Sequence, residues 1–119
     1  MAAYPTNGVY NISPPTPFPA TIAASGNWQS GVIINQHFPA IAACVTSTQI
    51  GNLTIQRYAD LAGTIPVGAT TTQELTASTA AYAAVNDGVP YLSFVVEVTN
   101  TGGSTADITG TAILTGWWA

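Results

Sequence analysis

Charge is what this chain has least of. Among 119 residues there is no lysine, and Arg57 is the only cation; the acids are Asp60, Glu74, Asp87, Glu97 and Asp107. A net charge of −4 carried with a single cation argues against nucleic acid as a partner, because phosphates are neutralised by Lys and Arg. It argues equally against an anionic membrane surface. Cysteine is nearly absent too. Cys44 is alone, so it forms no intrachain disulfide, and its place in the run Ile41-Ala42-Ala43-Cys44-Val45 predicts a small buried hydrophobe. One histidine, His37, and one cysteine do not make a zinc site. No stretch approaches the ~18 apolar residues of a membrane span. The N-terminus lacks a basic region followed by an apolar core, so no secretory leader is expected and synthesis in a cytoplasm is.

What is present is apolar and β-forming. Hydrophobic residues make up 47% of the chain against 5% charged, a balance that argues against disorder. The length suits one domain. Its surface must be covered by Thr, Ser, Asn, Gln and Ala, which lose little on desolvation and suit packing against other subunits.

The segment Tyr91-Leu92-Ser93-Phe94-Val95-Val96-Glu97-Val98-Thr99-Asn100 is the longest uninterrupted β-former run. At period two it places Leu92, Phe94, Val96 and Val98 on one face, which predicts a central strand with that face in the core. Around it, short strands alternate with turns. Trp28, Val32 and Ile34 alternate with polar or small residues. Residues 38–46 form a strand with Ile41, Ala43 and Val45 on one face, and Pro39 puts its start at an edge or bulge. Residues 52–58 place Leu53 and Ile55 opposite Thr54 and Gln56. Residues 71–75 and 80–85 are weaker strands. Residues 106–114 place Ile108, Ala112 and Leu114 inward and Thr109 and Thr111 outward. Asp60 with Gly63, and Asn86-Asp87-Gly88, mark turns. This predicts an all-β fold, a single antiparallel β-sandwich or jelly roll of seven to eight strands.

Residues 1–25 differ. They hold Pro5, Pro14, Pro15, Pro17 and Pro19, five of the eight prolines. They are expected to form an extended Pro-rich N-terminal arm, ahead of a sandwich domain over residues 26–119. Tyr4, Val9, Tyr10, Ile12 and Phe18 are interleaved through the arm, so it packs on something, either its own domain or a neighbouring subunit. The chain ends on Trp117 and Trp118, two indoles that fold back on the sandwich or dock on a partner. These seven residues are the candidate partner-binding set.

No catalytic, cofactor-binding or metal-binding residue is expected. There is no Gly-x-Ser-x-Gly elbow to place a nucleophile near His37. Paired carboxylates would need two of five scattered acids to converge. Arg57 is expected to pair with Asp60 by proximity or with Glu97 across strands. Sugar binding on stacked aromatics, with Trp28, Trp117, Trp118 and the tyrosines as a platform, is the small-ligand alternative.

An ordered set of motifs points further. A small-residue strand (Ile41-Ala42-Ala43-Cys44-Val45) is followed by Leu53-Thr54-Ile55-Gln56-Arg57-Tyr58, by the turn Asp60-Leu61-Ala62-Gly63 and by Thr72-Gln73-Glu74-Leu75-Thr76. Val95-Val96-Glu97-Val98-Thr99-Asn100-Thr101-Gly102-Gly103 completes the set. In this order, over about two thirds of the chain, they resemble a family of small β-sandwich virion proteins of tailed bacteriophages. The near-absence of basic residues and the Pro-rich arm depart from that family's usual look. The resemblance implies a non-enzymatic capsid decoration (cement), head-fibre or tail-associated protein without cofactors, located in the virion. Its partners would be the major capsid protein or tail and portal components, and its own state a homo-oligomer, with a trimer as first expectation. The competing expectation is a carbohydrate- or receptor-binding module of the phage tail or head.

Overall fold

The computed structural model describes residues 8–36 and 38–117, the side chain of Trp117 excepted. Tyr4, His37, Trp118 and the Trp117 side chain therefore lie outside the described residues. The strands are β1 (Gly8–Asn11), β2 (Thr21–Ile22), β3 (Asn27–Gln29), β4 (Ile33–Ile34), β5 (Ala40–Ser47), β6 (Gly51–Tyr58), β7 (Pro66–Leu75), β8 (Thr79–Val85), β9 (Ser93–Asn100) and β10 (Ala106–Trp117). No helix occurs among the described residues.

Two antiparallel sheets form. One has the order β1-β10-β5-β8, with β2 also on β10; the other has β3-β9-β6-β7, with β4 also on β9. β1 and β2 occupy two stretches of the same partner, as do β3 and β4, so ten segments trace eight strand lines. The pairings are nested: β6 with β7, β5 with β8, β3 and β4 with β9, β1 and β2 with β10. A long antiparallel ribbon wound around itself in this way is a jelly roll, one of the two architectures the sequence predicted.

The alternation that marks these strands in the sequence is the alternation that packs them. Phe94, Val96 and Val98 of β9, Leu53 and Ile55 of β6, and Ile41, Ala43 and Val45 of β5 are all within 1% of full burial. Ile113 joins them from β10, with Ile108, Trp28, Ile33, Ala83 and Val85 around the margin.

Where the period-two pattern fails, the backbone gives the reason. Leu92 was expected inward but is exposed, because β9 begins only at Ser93. The backbone at Leu92 instead bridges neighbouring strands, donating from N–H to Tyr58 O (2.9 Å) and accepting from Asn35 N–H (2.9 Å). Leu114 was expected inward and faces out. Gly110 takes φ 57° at a bulge between Thr109 and Ala112, which reverses the parity and turns Ile113 and Thr115 inward. Gly31, at φ 77°, does the same between Trp28 and Ile33, so Ile34 points out.

The N-terminal segment is extended, as its prolines require, and from residue 8 onward it packs on its own domain. β1 pairs with β10 from Gly8↔Trp117 to Asn11↔Leu114. Ile12 N–H donates to Ile113 O (2.7 Å) and Thr16 N–H to Ser30 O (2.9 Å). The Phe18 ring stacks on Trp28 at 4.3 Å, and Trp28 Nε1 donates to Pro17 O (3.0 Å). Ile22 is in the core. Prolines 14, 15, 17 and 19 fall between β1 and β2, where the ladder on β10 is interrupted and their missing donors cost least. Packing is thus continuous across residue 25.

Candidate binding site

The titratable groups do not converge. Among the described residues no three of His, Cys, Asp and Glu stand close enough to hold a metal ion. Asp60 accepts from Thr64 N–H (2.9 Å), Ile65 N–H (3.0 Å) and, at short range, the Thr64 hydroxyl. The Thr64 hydroxyl first and these two amides next hold its carboxyl below the usual range. Glu97 accepts from Asn27 Nδ2 (2.6 Å) and Gln29 Nε2 (3.0 Å).

Arg57 corrects an expectation. It pairs with neither Asp60 nor Glu97 but forms a two-pronged bond to Asp87, Nη1 to Oδ1 at 2.7 Å and Nη2 to Oδ2 at 2.8 Å. The partner is 30 residues away in sequence because the β8–β9 loop folds back over the end of β6. Hydrogen bonding from the buried guanidinium, helped by Val89 N–H, brings the Asp87 carboxyl down to about 2. The guanidinium also lies 5.5 Å from the Tyr91 ring centroid. Burial pushes the Tyr91 phenol up to about 12, keeping it protonated to donate to Phe38 O (3.2 Å). The only cation of the chain thus fixes the β8–β9 loop and, through Tyr91, the segment before β5.

Cys44 also corrects an expectation: it is half-buried on the outward side of β5, not in the core. It belongs to a distinctive surface. The outer face of the β1-β10-β5-β8 sheet runs in cross-strand rows: Ala84–Ala42–Leu114–Asn11, Tyr82–Cys44–Ala112 and Ala80–Thr46–Thr109. None of the six charged side chains lies in these rows; Asp107, exposed on the same side of β10, stands just beyond them, paired with Thr21 of β2. The other sheet's outer face has rows Gln29–Glu97–Thr54–Thr72 and Asn27–Thr99–Asn52–Glu74.

A second surface is the end of the sandwich where β1 begins and β10 finishes. Most of the strongly exposed large apolar side chains gather there: Val9 and Tyr10 on β1, Ile34 on β4, Leu61 and Ile65 between β6 and β7, Val89 and Leu92 between β8 and β9. Two clefts open at this end on either side of Phe38. One, ≈ 390 Å³, is lined by Asn35, Phe38, Pro39, Gly88, Val89, Pro90, Tyr91 and Leu92. The other, ≈ 290 Å³, is lined by Tyr10, Ile12, Ile34, Gln36, Phe38 and Thr115. Tyr10 and Phe38 stack with centroids 5.0 Å apart.

Of the candidate partner-binding residues, Val9 and Tyr10 are exposed at this end, whereas Ile12 and Phe18 are half-buried against the chain's own core. Phe38, Ile34, Gln36 and Thr115 complete the second cleft and were not singled out from the sequence. The Phe38-Pro39 pair was visible; the inward turn of Thr115 depends on the Gly110 bulge and was not.

The chain matches no protein-family model, and it matches no curated protein.

Proposed function

We propose that this chain is a non-enzymatic structural protein of a bacteriophage virion, a capsid decoration (cement) or head-fibre protein that binds the particle shell. Jelly rolls carry capsid, lectin and enzyme functions alike, so the fold does not choose among them. The observation that carries the reading is the run of uncharged rows on the outer face of the β1-β10-β5-β8 sheet, from Ala84–Ala42–Leu114–Asn11 to Ala80–Thr46–Thr109, with Asp107 only beyond its far end. Its three uncharged rows, across four strand lines ~4.8 Å apart and about six residues along them, cover on the order of 400 Å². That is within the size of the surface patch a monomer ordinarily exposes, ~300–600 Å², and such patches are often functional. A specific interface takes ~800 Å² from each partner, so the contact extends from this face onto the adjoining apolar end through Val9. Two bodies of like charge approach most easily over surface that bears none, which suits repeated copies on a shell and a homo-oligomer, with a trimer as the proposed state. Residues 8–11 and 21–22 are paired with β10 within the chain, so they meet a partner as part of the sandwich surface.

Purified virions, quantified by mass spectrometry against their major capsid protein, are expected to hold this chain at a fixed, high copy number. Its absence from particles, together with a monomer by light scattering at high concentration, would overturn the reading. A second reading, a carbohydrate- or receptor-binding module of the head or tail, is favoured by one feature of the Tyr10–Phe38 cleft.

A further inference from the structure

Among the described residues six polar or charged ones are buried: Ser30, Ser47, Arg57, Ser93, Asn100 and Thr115. Five are satisfied. Ser30 Oγ donates to Gly31 O (2.7 Å) and accepts from Val96 N–H (3.0 Å). Ser47 Oγ donates to Gln49 O (2.8 Å), and Ser93 Oγ to Asp60 O (2.6 Å). Arg57 holds Asp87, and Asn100 Nδ2 donates to Ile22 O, Ala23 O and Ser104 O. Thr115 alone is unsatisfied. The residue is 2% exposed, and its Oγ1 is buried without a hydrogen-bond partner. A hydroxyl in that state is costly, and a valine would fit the same strand position without the cost.

Thr115 also borders an open cleft. It is paired on β10 with Tyr10 on one side and Ile41 on the other, and it lines the ≈ 290 Å³ cleft with Tyr10, Ile12, Ile34, Gln36 and Phe38. The described lining is apolar and aromatic, with two hydroxyls, those of Thr115 and Tyr10, and one amide, and none of the described lining residues is charged. Small-ligand sites are built in this way, with mostly apolar walls and a few placed polar groups, though this one is near the small end of their range of ~300–1,000 Å³. An ionised ligand would find no counter-charge among the described lining residues and would be repelled, if anionic, by a net charge of −4. A purely apolar ligand would leave the Thr115 hydroxyl unsatisfied. A neutral pyranose meets both demands: its aliphatic face lies against an aromatic wall, and its hydroxyls bond to Thr115 Oγ1 and the Gln36 amide.

We propose that the cleft between Tyr10, Phe38 and Thr115 is a binding subsite for one neutral sugar ring, with the Thr115 hydroxyl as its buried polar contact. The subsite lies at the end of the sandwich and uses chemistry that shell binding does not need, so it stands or falls separately from the proposed virion role.

The test is a ¹⁵N-detected NMR titration of the full chain with methyl glycosides of glucose, galactose and mannose, with cyclohexanol as an apolar control. At least one glycoside is expected to shift the amides of Tyr10, Phe38 and Thr115 with millimolar saturation. Thr115→Val is expected to weaken that binding at least about tenfold while raising the thermal unfolding midpoint of the sugar-free protein. The raised midpoint shows that binding is not lost through misfolding. Three results would overturn the proposal: no glycoside shifts these amides, Thr115→Val binds as well as the unmodified chain, or cyclohexanol binds as well as the sugars.

Discussion

The two outer faces of this sandwich are built on the same backbone and share almost no chemistry. In the β3-β9-β6-β7 sheet the row Gln29–Glu97–Thr54–Thr72 is polar throughout, and Glu97 is held by two amides. In the β1-β10-β5-β8 sheet the corresponding surface runs Ala84–Ala42–Leu114–Asn11, and its largest projecting group is Tyr82, 68% exposed. The inward residues of both sheets are alike in kind, mostly aliphatic or aromatic with a few buried polar groups towards the strand ends, because both bury against one core. The outward residues are free of that demand. A face that keeps water company needs hydrogen-bonding groups; a face whose middle is alanine, cysteine and leucine, with polar groups mainly at its margins, loses less when water is removed. The difference is therefore a statement about what each face meets.

The comparison rests on the alternation itself, and the most damaging way to break it is through the shared core. Phe94 is fully buried on β9, whereas Thr99, on the outward side of the same strand, is only half-buried. Phe94→Ala should cost about 3–5 kcal/mol by leaving a cavity between the sheets. Thr99→Ala should stay within about 0.5 kcal/mol, as surface changes do. Urea denaturation with unchanged slope gives both numbers, and equal midpoints would mean that inward and outward have been confused.

A smaller loss is expected at the bulge that sets which side of β10 faces in. Gly110 has φ 57°, and a Cβ there would sit 3.2 Å from Thr46 Oγ1. Gly110→Ala should cost about 1–2 kcal/mol, the penalty of a left-handed conformation with a side chain. The same denaturation reads it. No loss at all would imply that the bulge relaxes and that Ile113 and Thr115 are not locked inward.

That bulge also marks the limit of what the sequence displayed. Strands β5, β6 and β9 were legible because their alternation runs unbroken and β-branched residues carry it: Ile41-x-Ala43-x-Val45, Leu53-x-Ile55, Phe94-x-Val96-x-Val98. Around Gly31 and Gly110 the same reasoning chose the wrong residues, since a positive φ adds half a period without changing the composition. Proline made the N-terminal segment legible as extended, but a proline pattern does not say which strand edge receives it, and β10 is about 100 residues away. The Arg57–Asp87 pair was hidden for a related reason: only the winding of the jelly roll puts the β8–β9 loop over the end of β6. The smaller cleft depends on both effects, drawing Tyr10 from the first strand and Thr115 from the last.

The two faces meet at the end of the sandwich, where acid should act on the Arg57–Asp87 clamp. The folded state holds the Asp87 carboxyl at about 2, from an ordinary 3.8. A group lowered in this way stabilises the fold above its unfolded value, and the contribution fades as pH falls from about 3.8 through about 2. Asp87 is substantially exposed, so solvent screens the pair and the effect is modest. Asp87→Asn should lower the thermal midpoint at pH 7 and flatten its fall between pH 4 and 2, measured at constant ionic strength. A variant that kept the full acid dependence would shift the cause to Asp60, also held low by its hydrogen bonds.

The smallest stability effect belongs to the sharpest test of the two faces. Ala84 and Thr72 are both exposed, both on edge strands, β8 and β7, and each ends a cross-strand row. Replacing either by lysine changes the net charge by the same amount and touches no core residue, so each variant should keep its unfolding free energy within about 0.5 kcal/mol. Association should separate them. Lysine at position 84 puts a hydrated ammonium into the uncharged rows of that face, and any partner seated there must strip its water or lose contact. Lysine at position 72 joins a face that already carries amides and carboxylates and has water to give. Ala84→Lys is therefore expected to abolish self-association and particle binding, while Thr72→Lys leaves both intact. Salt distinguishes mechanism from mere charge. A defect caused by desolvation persists at high ionic strength, whereas one caused by long-range repulsion or attraction is screened away. If both lysines disrupt assembly equally, or if salt rescues Ala84→Lys, then the apolar face is not where the partner sits, and the contrast between the two sheets reflects composition alone.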